Sequence, residues 1–287
     1  MKFGLQLPNL GPFSDIHYLM QLAQEAESAG WDGFFLWDHV AIPQRMVDSM
    51  TTLTAIAAVT NRMKLGPMVT SPSRRRPWKL ARELTALDHL SKGRVILGVG
   101  LGASDHDFEH CGEVTSARIR AQRVDEALTI MNGLWQGESF SYQGDHFQLS
   151  DLQFHPTPLQ KPRIPIWVAG WWDNKAPMRR AARWDGVFPL SKSGPLRPED
   201  WQNIIAYIQS QRSSTTPLTC VHSGITANDS QTASDQVKPF AEVGVDWWLE
   251  DISLVRVGHK LGEDWVEPWD IEAIVERIQY GPPQTTT

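Results

Sequence analysis

Residues 15–39 read DIHYLMQLAQEAESAGWDGFFLWDH and contain a helix pattern followed by a buried strand pattern. Apolar residues recur at helical spacing in the first part: Ile16, Leu19, Met20, Leu22, Ala23 and Ala26. This spacing predicts a helix over 15–29 that stops at Gly30. The run from Gly33 to Trp37 is short and continuously apolar, which is typical of a parallel strand buried on both faces. The stretch therefore predicts one unit of an α/β fold.

The same alternation continues in both directions along the chain. Strands are predicted over 2–8, 33–37, 64–70, 94–100, 166–169, 186–190, 218–226 and 245–249. Helices are predicted over 15–29, 49–60, 77–90, 117–135, 174–183, 198–212, 231–243 and 268–278. Eight such units predict a (β/α)₈ TIM barrel with short insertions, and an open doubly wound sheet is the structural alternative.

The chain shows no linker long enough to separate two domains. The pattern predicts a single barrel domain over residues 1–280 and a disordered tail over residues 281–287. Residues 140–147 predict a small hairpin inserted into the barrel. A length of 287 residues suits one barrel, which needs about 250.

Composition narrows the class of partner. The net charge of −6 argues against broad binding to nucleic acid or to an anionic membrane, although a local basic patch could still hold a small anionic ligand. No apolar run reaches the ~18 residues of a membrane span, and the N-terminus lacks a signal-peptide pattern. Cys111 and Cys220 are far apart and predict reduced thiols. We therefore expect a cytoplasmic protein acting on a small molecule.

In a TIM barrel, functional residues collect where the strands end. Asp38 and His39 follow the second predicted strand, and an imidazole beside a carboxylate can move protons near neutral pH. The alternative is that Asp38 caps the next turn. After the third strand, Arg74, Arg75 and Arg76 form a cationic loop that could meet phosphate or could pair with nearby acids.

The fourth strand ends in Gly98-Val99-Gly100-Leu101-Gly102-Ala103, which matches the G-x-G-x-x-A form of a dinucleotide motif. No helix opens at once after it, so we interpret the glycines as allowing close approach of a planar ligand. The following loop, 104–110, is rich in imidazole and carboxylate groups. It could hold a divalent metal, but its spacing matches no tight motif, and a mobile loop without metal is the preferred interpretation.

Three later strand ends carry further candidates. Ala169 and Gly170 precede a helix N-terminus, where free N–H groups can bind an anion. The sixth strand ends in Leu190-Ser191. At the end of the eighth strand, Trp248 and Glu250 share one face, while Trp247 and Leu249 share the other.

Several motifs together resemble the bacterial luciferase-like monooxygenase superfamily, whose members are flavin- or deazaflavin-dependent TIM barrels. The resemblance covers nearly the whole chain and depends on the order and spacing of these motifs: Lys2-Phe3-Gly4-Leu5, Ala29-Gly30-Trp31-Asp32, Trp37-Asp38-His39, residues 75–83, residues 87–94, Gly98-Val99-Gly100, residues 165–170 and Arg183-Trp184-Asp185-Gly186.

The resemblance implies a redox cofactor, F420 or FMN, across the mouth of the barrel. By similarity, the cofactor would contact Asp38, His39, Met68, Val69, Thr70, Gly100, Gly102, Ala169, Gly170, Trp171, Leu190 and Ser191. Relatives often have a non-prolyl cis peptide at the bulge that Met68 and Val69 would form. Some F420-dependent relatives carry a glutamate after the strand-four glycines, where this chain has Ala103, and this departure argues against a sugar-phosphate dehydrogenase.

We therefore expect an oxidoreductase in which His39 is catalytic and no metal is bound. Trp37, Trp172, Trp248 and Glu250 would contact a small organic substrate. The arginine loop slightly favours F420, with its anionic tail, over FMN. Barrels of this type often form homodimers through their outer helices. A metal-dependent hydrolase and a non-catalytic flavin-binding protein are the alternatives.

Overall fold

The computed structural model describes residues 1–102, 105–258 and 269–284. The strands are β1 (Lys2–Leu7), β2 (Gly33–Leu36), β3 (Lys64–Pro67), β4 (Leu97–Val99), β5 (Phe140–Gln143), β6 (Gln148–Leu152), β7 (Ile166–Trp171), β8 (Gly186–Leu190), β9 (Thr219–Gly224) and β10 (Trp247–Asp251). The helices are α1 (Ile16–Ala29), α2 (Ser49–Val59), α3 (Pro77–Leu90), α4 (Ala117–Leu134), α5 (Lys175–Ala181), α6 (Pro198–Gln211), α7 (Ser230–Glu242) and α8 (Ile271–Gln279).

Eight parallel strands form the barrel in the order β3-β2-β1-β10-β9-β8-β7-β4. The two outer strands of this order meet through backbone hydrogen bonds from Leu65 N to Arg94 O (3.1 Å) and from Gly100 N to Thr70 O (2.9 Å). The sheet therefore closes on itself, and the TIM-barrel prediction is confirmed over the open sheet. The hairpin of β5 and β6 stands outside the barrel as an antiparallel pair.

Local sequence explains where the first helix begins and ends. Asp15 caps α1 by accepting hydrogen bonds from the backbone N–H groups of His17 and Tyr18. Gly30 ends the helix at φ 100°, a left-handed conformation that favours glycine. The predicted helix and strand of this stretch are thus confirmed to within a residue or two.

Alternating residues of each strand divide the core into two parts. The side chains inside the barrel form the barrel interior: Phe35, Met68, Ile96, Trp167, Ala169, Phe188, Val221, Trp247 and Leu249. The opposite faces of the strands pack against the surrounding helices in a second, larger apolar cluster. Side chains alternate between the two faces of a strand. The strand register therefore determines which residues point into the barrel.

Two boundaries differ from the sequence prediction. The last strand runs from Trp247 to Asp251 rather than from Val245 to Leu249, which brings Glu250 and Asp251 into the sheet. In the tail predicted at 281–287, Gly281 and Pro283 are buried, and residues 285–287 lie outside the described residues. Within the described part of the chain, no helix is both long and apolar enough to span a membrane.

Candidate active site

The C-terminal ends of the barrel strands present one ring of inward side chains. We call this ring the barrel mouth, and it consists of Gln6, Met68, Trp171, Leu190, Ser223 and Asp251. Strand register places them together, because Gln6 is the partner of Asp251, Trp171 of Leu190, and Ser223 of the interior residue Leu249. The mouth is therefore apolar on the β3, β7 and β8 side and polar on the β1, β9 and β10 side.

His39 lies beyond the end of β2 and is held by a residue that the sequence did not single out. Its Nδ1 lies 2.6 Å from Oδ2 of Asp107, while Oδ1 of Asp107 accepts the backbone N–H groups of Val40 (2.8 Å) and Ala41 (3.0 Å). Burial alone would raise the pKa of Asp107, but these hydrogen bonds outweigh it and lower the pKa to about 2. Asp107 is therefore a carboxylate at neutral pH.

An ionised carboxylate only accepts hydrogen bonds, so Nδ1 of His39 must carry the hydrogen that lies between them. The neutral ring then has its free lone pair on Nε2. The side chain of His39 keeps 24% of its surface exposed, and Trp37 packs edge-on against the ring. Trp37 is therefore a neighbour of the proposed catalytic group, and His39 can accept or return a proton at Nε2.

The Asp38 side chain is engaged in a buried ion pair. Its side chain has no exposed surface and accepts hydrogen bonds from Thr70 and, at 2.9 Å on both oxygens, from Arg75. Arg74 pairs with Oδ2 at 3.0 Å. The expected cofactor contacts through the Asp38 carboxylate and the Thr70 hydroxyl are therefore not available, and both side chains position the loops instead.

The arginine loop is explained by the same ion pair. Arg74 and Arg75 neutralise Asp38, and Arg76 lies over the ring of Trp78 at 5.9 Å. The loop thus pairs with a nearby acid, which was one of the two interpretations of the sequence. Its charge no longer supports a preference for F420.

Met68 and Val69 form the bulge that the family resemblance implied, and the peptide bond between them is cis. Gly98 in β4 and Gly100 just after it make room for this bulge. A Cβ at Gly98 would lie 2.5 Å from Pro67 O, and one at Gly100 would lie 2.8 Å from Cγ2 of Val69. At Gly102 (φ 78°), the space for a Cβ is filled by Phe108. The protein itself, rather than a planar ligand, explains the absence of side chains at these three glycines.

Ala169 belongs to the barrel interior, and Trp171 and Leu190 belong to the mouth. Gly170 faces outward, because its Cβ would lie 2.2 Å from Cβ of Pro177 in α5. Ser191 is part-exposed, and its hydroxyl lies 2.9 Å from that of Ser193. Trp171 and Leu190 thus lie at the mouth, Ala169 lies just below them in the interior, and Gly170 serves helix packing.

The N-termini of α4 and α5 enclose a cavity of about 230 Å³. It is lined by Leu101, Ala117, Arg118, Ala121, Asn174, Ala176, Pro177 and Arg180. The first N–H groups of α4 have no side-chain cap and, with the helix dipole, attract an anion. In α5, Asn174 already accepts the Ala176 N–H, and Pro177 has no N–H to offer. The sequence pointed to the α5 N-terminus, but the contribution of α4 was missed because a long loop separates α4 from its strand.

Three residues that were predicted to contact the substrate lie instead on the outer face of the barrel. Trp248 and Glu250 share a face as predicted, but that face is turned to the helices: Trp248 packs on His222 and Phe240, and Glu250 is fully buried. Trp172 packs against Tyr207 of α6. A strand has two faces, and sequence alternation alone could not say which of them is the interior.

In the described part of the loop after β4, two histidines come together without a cluster of metal ligands. His106 and His110 meet edge to face at 4.4 Å, but no group of three or more potential metal ligands exists within the described ranges. Ala103 and Ser104, where the departure from the F420-dependent relatives falls, lie outside the described residues. The described part of this loop brings Asp107 to His39.

A closed parallel barrel with a His–Asp pair at the C-terminal ends of its strands is the architecture of a TIM-barrel enzyme. The chain belongs to the luciferase-like monooxygenase family, whose profile matches residues 1–260. The protein is thus an enzyme of an oxidoreductase family.

Three relatives illustrate the range of the family. An uncharacterized protein of Mycobacterium tuberculosis is 28% identical over 271 residues, covering 88% of this chain and 89% of that protein. An F420-dependent glucose-6-phosphate dehydrogenase of Microbacterium testaceum is 33% identical over 175 residues, covering 58% of this chain and 50% of that enzyme. The crystal structure of a monooxygenase from Streptomyces bottropensis has a TM-score of 0.67 at 25% identity, covering 85% of this chain and 77% of that one.

The barrel mouth and the neighbouring cavity can be compared with the two parts of a flavin-type cofactor. Such a cofactor combines a flat ring with an anionic tail. The apolar residues of the mouth, Met68, Trp171 and Leu190, suit a ring, with Val69 and the interior residue Ala169 beside them. The cavity beside the α4 N-terminus is lined mostly by apolar atoms, and Arg118 with the uncapped N–H groups of α4 supplies the polar contacts for a phosphate-bearing tail. The residues present fit the group.

Proposed function

We propose that this enzyme binds F420, with FMN as the second candidate, and performs redox chemistry on a small organic substrate at the barrel mouth. The observation that carries the proposal is the cavity between the N-termini of α4 and α5, beside an apolar mouth. The named activity of the Microbacterium relative supports F420 over FMN. Once bound, the cofactor supplies the hydride or oxygen chemistry.

The residues of this chain have separate roles in the proposal. His39 moves a proton at Nε2, and Asp107 holds the imidazole in the tautomer that makes this possible. The ion pair of Asp38 with Arg75 fixes the backbone from which His39 extends. The apolar residues of the mouth position the ring and exclude water from it.

The substrate is proposed to differ from that of the Microbacterium relative. A sugar phosphate needs cationic side chains, whereas the inward positions of the mouth are Gln6, Met68, Trp171, Leu190, Ser223 and Asp251, none of which is cationic. We propose a small, less anionic organic molecule. Cytoplasmic location and pairing into a homodimer stay predictions.

The first test is a titration of the purified protein with F420 and with FMN, followed by fluorescence quenching. One of the two should bind with a Kd below about 1 μM, and the preferred cofactor decides the branch of chemistry. Failure of both to bind, together with stoichiometric zinc or manganese in the purified protein, would support the metal-dependent hydrolase instead.

A further inference from the structure

Asp251 is a mouth residue that the proposed mechanism does not use. It is the last residue of β10 and the register partner of Gln6 in β1. Its alternation with Trp247 and Leu249, which belong to the barrel interior, directs its side chain inward. A carboxyl group therefore stands at the polar side of the mouth.

The polar neighbours of Asp251 are already engaged with one another. Gln6 Nε2 donates to Met68 O at 3.0 Å, and the Ser223 hydroxyl donates to Gln6 Oε1 at 3.1 Å. These bonds connect β1, the bulge after β3 and β9 across the mouth, and they fix the orientation of the Gln6 amide. Neither the Gln6 amide N–H group nor the Ser223 hydroxyl hydrogen in these bonds is directed to Asp251.

Asp251 Oδ1 is enclosed by protein yet accepts no hydrogen bond from the described residues. An enclosed carboxylate oxygen without a donor costs free energy, so such an atom calls for an explanation. By contrast, the adjacent Glu250 uses both of its oxygens in contacts with Thr226, Trp248 and Arg256. Of these two adjacent carboxyl groups, only the inward-facing Asp251 has an enclosed oxygen that accepts no hydrogen bond from the described residues.

We propose that Asp251 determines substrate specificity by accepting a hydrogen bond from the substrate. The fitting substrate has an apolar body and a hydrogen-bond donor, with an ammonium group bound more tightly than a hydroxyl group and a carboxylate excluded. The inference rests on the proposed function in one respect, namely that the substrate enters the barrel mouth.

The charges around Asp251 are consistent with this selectivity. Burial raises its pKa to about 6; the Ser253 hydrogen bond opposes the rise, the Glu250 charge adds to it, and Arg256 opposes it. The facing residues of β1 and β9, Gln6 and Ser223, are uncharged. Asp251 is therefore mainly ionised above pH 7 and mainly protonated at pH 5, so donor selectivity should depend on pH.

The test uses three probes with the same ring: cyclohexylammonium, cyclohexanol and cyclohexanecarboxylate. Their binding to the full chain without cofactor is measured by ligand-observed NMR at pH 8 and pH 5. At pH 8 the ammonium should bind about tenfold more tightly than the carboxylate, with the alcohol between them. At pH 5 the preference for the ammonium over the alcohol should fall severalfold, and this pair is used for the pH comparison because neither probe titrates between pH 5 and pH 8, whereas the carboxylate probe is partly protonated at pH 5.

Asp251→Asn should remove the preference at both pH values. Asp173→Asn is the matched control, because Asp173 is an exposed carboxylate at the same end of the barrel and should leave the preference intact. If the wild-type protein binds ammonium and carboxylate equally at pH 8, or if D251N keeps the preference, the proposal is wrong. The wild-type pH comparison remains decisive even if D251N does not fold.

A stability measurement gives a second readout. A carboxyl group whose folded pKa lies above its unfolded value of 3.8 loses stabilising free energy as pH rises from about 4 through 6. D251N should therefore gain stability relative to wild type between pH 4 and pH 8. Titration of F420 and FMN in the same samples separates the two proposals, since discrimination among the probes does not require that either cofactor bind.

Discussion

At the residue scale, the His39–Asp107 pair carries the proposed proton chemistry. Its two members are 68 positions apart in the chain. The sequence identified His39 because it follows a strand, and it identified the loop that contains Asp107 as rich in polar groups. It could not select Asp107 from its neighbours, because only the folded loop shows which carboxylate reaches the imidazole.

Asp107→Asn should reverse the tautomer of His39. The amides of Val40 and Ala41 would hold the Asn oxygen, so that the Asn NH₂ group faces Nδ1 and forces the ring hydrogen onto Nε2. Long-range ¹H–¹⁵N NMR of the imidazole reads the tautomer directly and needs no substrate. Turnover should fall by about 10²- to 10⁴-fold, while the Kd of the cofactor stays unchanged.

Glu109→Gln is the control for this substitution, because Glu109 is exposed in the same loop. It should preserve both the tautomer and the turnover. A D107N variant with Nδ1 still protonated and full turnover would remove Asp107 from its positioning role. His39→Asn should abolish turnover and spare cofactor binding, and undiminished turnover there would remove His39 from catalysis.

The depressed pKa of Asp107 predicts an acid-sensitive contribution to stability. A carboxyl group with a folded pKa of about 2 and an unfolded pKa of 3.8 stabilises the fold above pH 4 and loses this contribution as pH falls through 2. The stability difference between wild type and D107N, measured by urea unfolding, should therefore shrink between pH 5 and pH 2. A difference independent of pH would show that hydrogen bonding to the ionised carboxylate does not contribute.

At the scale of the elements, the contact between β3 and β4 closes the barrel. A Cβ at Gly66 would lie 1.8 Å from Ile96 O, which is backbone and cannot swing aside. Gly66→Ala should therefore push the two strands apart and lower the free energy of unfolding by about 3 kcal/mol or more, measured by urea unfolding. Cofactor binding should weaken as well, because Met68 and Val69 follow β3 directly.

Gly112→Ala provides a contrast for Gly66→Ala. Gly112 has a φ of 68° and no atom within 4 Å of the Cβ position, so this substitution adds backbone strain without a steric clash. It should cost only about 1–2 kcal/mol. If both variants lost the same free energy of unfolding, the loss would come from the backbone preference of glycine and not from the packing of β3 against β4.

The N-terminus of α4, with Arg118, carries the proposed anion site, and α5 forms its other wall. Arg118→Ala should weaken binding of F420 or FMN by about five- to tenfold, with the loss largest at low salt, because a charge contact to a phosphate is screened by ions. Arg179→Ala is the matched control: Arg179 is an exposed arginine in the last turn of α5. If both variants bind the cofactor equally well, the cavity does not hold its tail.

Element order was predictable, whereas element faces were not. The alternation of apolar runs located all eight barrel strands because each is buried on both faces. The same burial removes the period-two signal that would distinguish the inside from the outside. For this reason the sequence assigned Trp248 and Glu250 to the substrate, although strand register turns Leu249 and Asp251 inward instead.

At the scale of the whole molecule, Glu250 joins parts of the chain that are distant in sequence. Its carboxylate accepts hydrogen bonds from Thr226 after β9 and from Arg256, and Arg277 of α8 donates to the same threonine at 3.0 Å. The last strand, the loop after β9, the segment that follows β10 and the last helix are thus connected by one buried charge cluster. Removing one partner of such a cluster leaves uncompensated charge in the interior.

Glu250→Gln should therefore destabilise the whole barrel by about 3–5 kcal/mol in urea unfolding, because the Gln NH₂ group would face donors and Arg256 would lose its counter-ion. Glu242→Gln, at an exposed position near the end of α7, should change stability by less than about 0.5 kcal/mol. In molecules that remain folded, the probe preference assigned to Asp251 should be unaltered. If E250Q were stable but lost this preference, Glu250 would contact the substrate, as its position near the strand end first indicated.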